Sequence, residues 1–326
     1  MNFSGLQSKL RLAYPPVSNY EFVHLKKEQI VQEHIKDSMI YIICQRPMLA
    51  FKKLTFNENQ DTMYFEIHKR GISEILECEI PLYQKAIEMD ENKKVIIEFG
   101  THDPVTNTSS KFENIHGLTF FNEQQEFLFW ISPDKFIYEV LNNKLKAKIE
   151  GDIKPFISFK VHYVGKATDQ KIWNRLTGHN TLQDILSIEK PIMHGTLPTH
   201  EISLLLLKVE EVISITFLED DIDSFVKNAL EPSLPSKKTI ALDAEKMLIN
   251  LLNPEHNHPS KRFGNYPVSK DGLYPENYNN YGYQIQDSLI LQYKDSEIHG
   301  DLDVNKADLI LIKNNKSCEI IKLGRI

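Results

Sequence analysis

Only three cysteines, Cys44, Cys78 and Cys318, occur in the 326 residues, and they lie far apart. They form no CxxC pair and no Cys/His ligand spacing. A disulfide framework and a cysteine-based zinc site are therefore not expected, and a reducing, cytoplasmic setting is. Long apolar runs are missing too. MIYIIC at Met39–Cys44 and ISLLLL at Ile202–Leu207 fall well short of the ~20 residues a membrane helix needs. The opening MNFSGLQSKLRLAY has no apolar core of a secretory leader. No membrane partner is expected. No period of about 20–50 residues repeats, which excludes a solenoid.

The content that remains is ordinary for a globular chain, 41% hydrophobic and 25% charged. The length allows two domains or one with additions. The formal net charge of −7 argues against a general nucleic-acid binder. Its distribution is uneven. Lys154, Lys160, Lys166, Lys171 and Arg175 face only Asp169 between positions 154 and 179, whereas positions 201–235 carry eight acidic residues against Lys208 and Lys227. Both can be solvated faces. Alternatively, the basic stretch meets a polyanion and the acidic one lies away from it.

Residues 1–150 read as a β-rich N-terminal domain. Strands are predicted at Met39–Cys44, Met48–Phe56, Thr62–His68 and Lys93–Phe99, with a hairpin from Leu118–Phe121 to Glu126–Ile131. A polar helix is expected over Lys26–Lys36 and a broken one over Ile72–Glu88, interrupted at Pro81. The His68-Lys69-Arg70 run reads as a solvated strand end. Lys135–Ile149 leads into a second region, 151–260, with an acidic, strand-rich insertion at about 188–236. That insertion holds strands Ile202–Lys208 and Val212–Leu218 and a helix Asp220–Leu230. Lys238–Asn253 is a helix with Ile240, Ala244, Leu248 and Leu251 on one stripe, stopped by Pro254. Residues 261–326 form a β-rich C-terminal extension with strands at Ser288–Tyr293, Ala307–Ile312 and Cys318–Leu323. Its tyrosines Tyr274, Tyr278, Tyr281 and Tyr283 pack a turn region rather than stack on bases. His256 and His258 have no further Cys or His at ligand spacing, so no metal site is expected there.

The stretch with chemistry is KVHYVGKATDQKIWNRLTGHN, Lys160–Asn180. Phe159, Val161 and Tyr163 alternate with Lys160, His162 and Val164, as in a strand. Gly165 lets the chain turn. Asp169 can cap a helix whose Ile172 and Leu176 share one face, while Arg175 and His179 share another. A tyrosine at a strand end, a lysine in the turn and an arginine on the next helix suit a phosphate.

Tyr163-Val164-Gly165-Lys166-Ala167, Arg175, His179-Asn180, the helix Ala244-Glu245-Lys246-Met247-Leu248-Ile249 and the following Asn253-Pro254-Glu255-His256-Asn257 together resemble the second half of a GIY-YIG nuclease. The resemblance covers about a third of the chain. It implies an α+β fold in which a small three-stranded antiparallel sheet is flanked by helices. It also implies hydrolysis of phosphodiester bonds in DNA with one divalent metal, Mg²⁺ or Mn²⁺. In that scheme Tyr163 stands by the attacking water, Arg175 neutralises the scissile phosphate, Glu245 binds the metal and Asn257 supports the site with Gly165. Lys166 and Arg175 are cations able to assist the tyrosine, and Lys166 is itself a candidate base. The first motif departs from the pattern. About ten residues before Tyr163 stands Gly151-Asp152-Ile153 with no tyrosine, and Tyr138 is too far upstream unless the first hairpin carries an insertion. His162 or His179 are candidate replacements. The alternative implied is an inactive relative that binds nucleic acid or protein, and residues 1–150 are the expected surface for a protein partner.

Overall fold

The computed structural model of the chain describes residues 3–83, 94–101, 115–169, 171–177, 180–190, 192, 201–217, 234–257, 272–276, 278–313 and 317–324. Its strands form two sheets. The larger has ten strands and is built from both ends of the chain and from the middle. It contains β1 (Phe3–Leu12), β2 (Val17–Ser18), β3 (Ile40–Gln45), β11 (Ser158–Lys166), β12 (Ile202–Phe217), β13 (Asn280–Ile285), β14 (Leu289–Tyr293), β15 (Ser296–Gly300), β16 (Leu309–Lys313) and β17 (Ser317–Ile321). The order is β15-β14-β11-β3-β12-β1-β13-β16-β17, with β2 on β12. The sheet curls until β15 returns to β13, where Asp301 N–H donates to Ile285 O at 3.1 Å.

A helix, α6 (Lys237–Leu252), lies in the hollow of this curl. Within KKTIALDAEKMLINLL the apolar Ile240, Ala241, Ala244, Met247, Leu248 and Leu252 are all buried, and so are Asp243 and Glu245. A helix that buries residues on so many sides has to be enclosed by its neighbours. Ser236 caps its start by accepting from Thr239 N–H at 3.1 Å. Asn253 ends it in the left-handed region at φ 45°, ahead of Pro254.

The other face of the sheet carries α1 (Asn19–Leu25), α2 (Gln29–Ile35), α4 (Ile172–Thr177) and α5 (Asn180–Ile188). Strand β3 sits between the two layers, and each residue of its IYIICQ is buried. Ile40, Ile42 and Cys44 join the core around α6, while Tyr41 and Ile43 join the core under Phe22, Ile35, Ile172 and Leu176. Each such side chain contributes about 1.5–3 kcal/mol on burial.

The second sheet is an insertion between β3 and β11. It contains β4 (Leu49–Phe56), β5 (Thr62–Lys69), β6 (Ile75–Pro81), β7 (Ile96–Thr101), β8 (Ile115–Phe121), β9 (Phe127–Ile131) and β10 (Lys148–Glu150) in the order β10-β6-β5-β4-β8-β7, with β9 on β8. Alternation sets its inner face: Met63, Phe65 and Ile67 on β5 meet Leu76, Cys78 and Ile80 on β6. α3 (Pro133–Leu141), capped by Ser132, closes that core with Phe136 and Ile137. Where the chain leaves and re-enters the larger sheet, buried Arg46 clamps both ends. Its guanidinium donates to Phe156 O and to Asp134, and it lies 4.7 Å over the Phe159 ring.

The small three-stranded sheet flanked by helices, expected over 151–260, is not what forms. β11 and β12, the strands of that stretch, are two members of the ten-stranded curled sheet, and β3, β1, β2 and β14 supply their neighbours. The physical reason lies in β3 and β12. Both are apolar on two faces and need cover on each side, which a small open sheet cannot give. Other elements also differ from expectation. Residues 75–81 form a strand rather than part of a helix, because Leu76, Cys78 and Ile80 are buried at a period of two. Ile202–Phe217 is one strand in which the pairing with β1 shifts between Lys9 and Leu10, so that Glu210 is bulged out instead of separating two strands. Tyr281 and Tyr283 lie buried in β13, not in a turn. The helix expected over Asp220–Leu230 lies outside the described residues. Among the described residues no helix is long and apolar enough to cross a membrane.

Candidate active site

The end of β11 opens on a hollow of about 360 Å³ lined by Tyr163, Lys166, Ala167, Thr168, Asp169, Arg175 and Glu245. The expected tyrosine, lysine, arginine and carboxylate therefore share one cavity, although they come from β11, α4 and α6. Tyr163 and Lys166 are placed by the register of β11 against β3. Arg175 is placed by α4, which buries Ile172 and Leu176 and so turns the arginine toward the sheet. Glu245 is held nine residues past the Ser236 cap, with its side chain mostly buried at 8% exposure. Its Oε2 lies 3.4 Å from Lys166 Nζ. At the rim, Lys238 Nζ pairs with Asp169 Oδ1 at 2.7 Å. His179 lies outside the described residues.

A second tyrosine joins this set that sequence reasoning did not find. Tyr41 on β3 stands opposite Gly165 in register, and its ring centroid is 5.9 Å from that of Tyr163. Gly165 does not turn the chain; it lies inside β11. A Cβ there would fall 2.4 Å from Tyr41 Cζ and 2.6 Å from Tyr163 Cε1, so only glycine lets the two phenols meet over the strand. Arg175 is in hydrogen-bond contact with both hydroxyls. Burial works against its charge, but the phenols beside it outweigh that and hold its pKa above the ordinary arginine value. Burial pushes the Tyr41 phenol far above its usual range; Tyr163 adds to the rise and Arg175 opposes it. Tyr41 is thus neutral at physiological pH, and its hydroxyl oxygen accepts from Arg175 and orients it rather than acting as a base.

The tyrosine that stands beside Tyr163 thus comes from β3, on the far side of the inserted sheet. Tyr138 is not that residue. It lies on α3 in the core around α6, with its hydroxyl near Leu12 O at 3.5 Å. Gly151 sits at φ 120° just after β10 and belongs to the turn there. The usable signal was Met39-Ile40-Tyr41 at the head of an apolar strand, but nothing near it in the chain announces β11 as its partner.

Asn257 holds the outer edge of β11. Beyond Lys160 that edge has left β14, and the buried Asn257 amide replaces a strand: its Oδ1 accepts from Val164 N–H at 3.0 Å and its Nδ2 donates to Val164 O at 2.8 Å. His256 N–H adds a bond to His162 O at 3.3 Å. His162 itself, one residue before Tyr163, occupies the bulge in the β11–β3 pairing and turns away from the hollow toward Gln45, Glu189 and His256. It does not replace a site tyrosine. Burial lowers its pKa to about 4, against an opposing pull from Glu189.

The basic character of 154–179 is reduced in the folded chain, because Lys160 lies 3.8 Å from Glu189 and Lys166 pairs with Glu245. The hollow retains Arg175, with Lys166 half-exposed at its mouth. The hollow has two carboxylates, Glu245 inside and Asp169 on the rim, and each is paired with a lysine, Lys166 and Lys238. No family model, no curated protein and no solved structure matches the chain.

Proposed function

We propose that the hollow at the end of β11 hydrolyses phosphodiester bonds in DNA, as a metal-dependent endonuclease. The observation that carries this reading is the convergence of Tyr41, Tyr163, Lys166, Arg175 and Glu245 from β3, β11, α4 and α6 on one phosphate-sized space. Hydrolysis of a phosphodiester forms a bond from a water oxygen to phosphorus, breaks the bond to the leaving oxygen, and delivers a proton to that oxygen. Negative charge grows on the phosphoryl oxygens meanwhile. Arg175, fixed by two phenols, presents a planar fork of donors to those oxygens and needs no reorganisation as they become more negative. Tyr41 stays protonated and holds Arg175 and the Tyr163 ring in place. Tyr163 as its phenolate, or Lys166 as its free amine, would take the proton of the water and pass it on to the leaving oxygen. Glu245 would hold the divalent ion, which when bound supplies Lewis-acid stabilisation of the phosphate.

A second reading is a binding platform without cleavage. The Lys166–Glu245 pair and the contacts of Arg175 with the phenols favour it, because these charges already have partners within the protein.

A plasmid-nicking assay separates the two. Under the endonuclease reading, nicking requires Mg²⁺ or Mn²⁺, stops with chelator, and falls by about 100-fold or more in Arg175→Ala and Glu245→Gln. Salt-sensitive DNA binding that chelator does not alter, with no nicking by the wild type, establishes the platform instead. The pH–rate profiles of Tyr163→Phe and Lys166→Met identify the base.

A further inference from the structure

We propose that His162, Glu189 and His256 bind a divalent transition-metal ion of the zinc class, at a site separate from the hollow that holds Glu245. The three residues come from β11, from the residue after α5 and from the segment after α6. One ligand atom from each lies within 4.8 Å of the other two. His162 Nδ1 is 3.4 Å from Glu189 Oε1, and His256 Nε2 is 2.8 Å from the same oxygen. Tetrahedral zinc with bonds of about 2.0–2.1 Å sets its ligand atoms roughly 3.3 Å apart. The cluster is near that spacing with His162 almost fully enclosed at 2% side-chain exposure.

The hydrogen bonds behind His162 fix which nitrogen is available. The Gln45 amide NH₂ donates to Lys190 O at 3.0 Å and lies 3.4 Å from Glu201 Oε2, so its Oε1 is the atom that faces His162 Nε2, at 2.9 Å. An amide oxygen only accepts. His162 Nε2 therefore carries the hydrogen, and in the neutral ring Nδ1 presents a bare lone pair to the Glu189 carboxylate. Two acceptors facing each other at 3.4 Å repel unless a proton or a metal cation lies between them. The His256 contact with Glu189 is satisfied by one N–H, but it does nothing for His162 Nδ1. A metal ion answers both. Gln45 and the buried Glu201 behind it form the outer support that metal-bound imidazoles ordinarily have. Two imidazoles and one carboxylate select zinc-class ions over Mg²⁺, which demands about six oxygen ligands.

The ion would tie the segments that carry Glu189 and His256 to β11 at the residue before Tyr163. Its role is positioning, and its presence does not depend on the endonuclease reading.

The test uses the full chain, stripped with chelator, dialysed, and titrated with Zn²⁺ and with Co²⁺ as a spectroscopic substitute. One equivalent of Zn²⁺ binds to the wild type, and Co²⁺ gives the intense visible absorption of a low-coordinate histidine site. His256→Ala and Glu189→Gln each weaken binding by at least ~100-fold, beyond the about 10–100-fold range for losing an outer partner. Glu245→Gln leaves it unchanged. Absence of a stoichiometric Zn²⁺ site, or Zn²⁺ affinity that survives in both ligand variants or is lost in Glu245→Gln, overturns the proposal. Where a ligand variant does not fold by circular dichroism, the cobalt spectrum of the wild type decides: weak octahedral bands reject the site.

Discussion

Asn257→Ala removes the two hydrogen bonds that close the free edge of β11. Val164 N–H and Val164 C=O are both buried, and β11 has no strand on that side at this point. Each buried backbone group left without a partner costs about 1–3 kcal/mol, which places the loss at roughly 2–6 kcal/mol before water enters the gap. That is a large share of the ~5–15 kcal/mol that holds a typical fold together. The assay is equilibrium urea denaturation with the slope held as a control. The midpoint should drop with the slope unchanged, since the surface exposed on unfolding is nearly the same. Asn257→Asp sharpens the test. Its carboxylate still accepts from Val164 N–H, but a charged oxygen then faces Val164 O, where the amide donated at 2.8 Å. Protonating the new carboxyl restores a donor, so this variant lies closer to wild type at about pH 4 than at pH 8. A cost below about 0.5 kcal/mol for Asn257→Ala, the range of an ordinary surface change, would refute the claim that one side chain stands in for a strand here.

Gly165→Ala places a methyl 2.4 Å from Tyr41 Cζ, so the ring or β11 has to shift; a loss of about 1–3 kcal/mol in denaturation is expected, together with loss of nicking. Tyr41→Phe should fold normally yet lower the nicking rate by about 100-fold, while Tyr138→Phe leaves the rate unchanged; equal rates for all three proteins would remove Tyr41 from the site. The Asp287 carboxyl is buried, which pushes its pKa from 3.8 up to about 6 against the opposing effects of the Leu12 N–H and Arg11. The unfolded chain releases this proton first, so stability falls as pH rises from about 4 to about 6 and is level above that. The loss is on the order of 3 kcal/mol. Asp287→Asn keeps an acceptor for Leu12 N–H, and urea midpoints measured across that window should lose this slope.

The elements that could be read from the sequence are those whose signal is local. The alternation of Met63, Phe65 and Ile67 marks β5, and the apolar stripe of α6 marks a helix whose Glu245 lines the same hollow as Tyr163. The hairpin of β16 and β17 and that of β8 and β9 join neighbours in sequence. The unread parts depend on distant pairing. β1 and β13 lie side by side although the chain between them runs through both sheets. Leu76, Cys78 and Ile80 carry the period of a strand, but Pro81 beside them suggested a broken helix. Tyr41 was invisible as a site residue because its partner strand follows an entire inserted sheet. The His162–Glu189–His256 cluster was invisible because ligand spacing is a local test, and here each ligand comes from its own element.

The inserted sheet also has a consequence for how the chain reaches its final form. Strand β3 leaves the ribosome with its future neighbours β11 and β12 unmade, and the whole of β4–β10 has to appear before Tyr41 can meet Tyr163. Contacts between remote positions form slowly because the loop between them has to close first. The insertion, whose strands are near neighbours in sequence, is therefore expected to fold early and bring its own two ends together at Arg46. A young chain cut off before residue 158 would display an ordered sheet and a naked, apolar β3, an exposed edge that invites aggregation until the rest arrives.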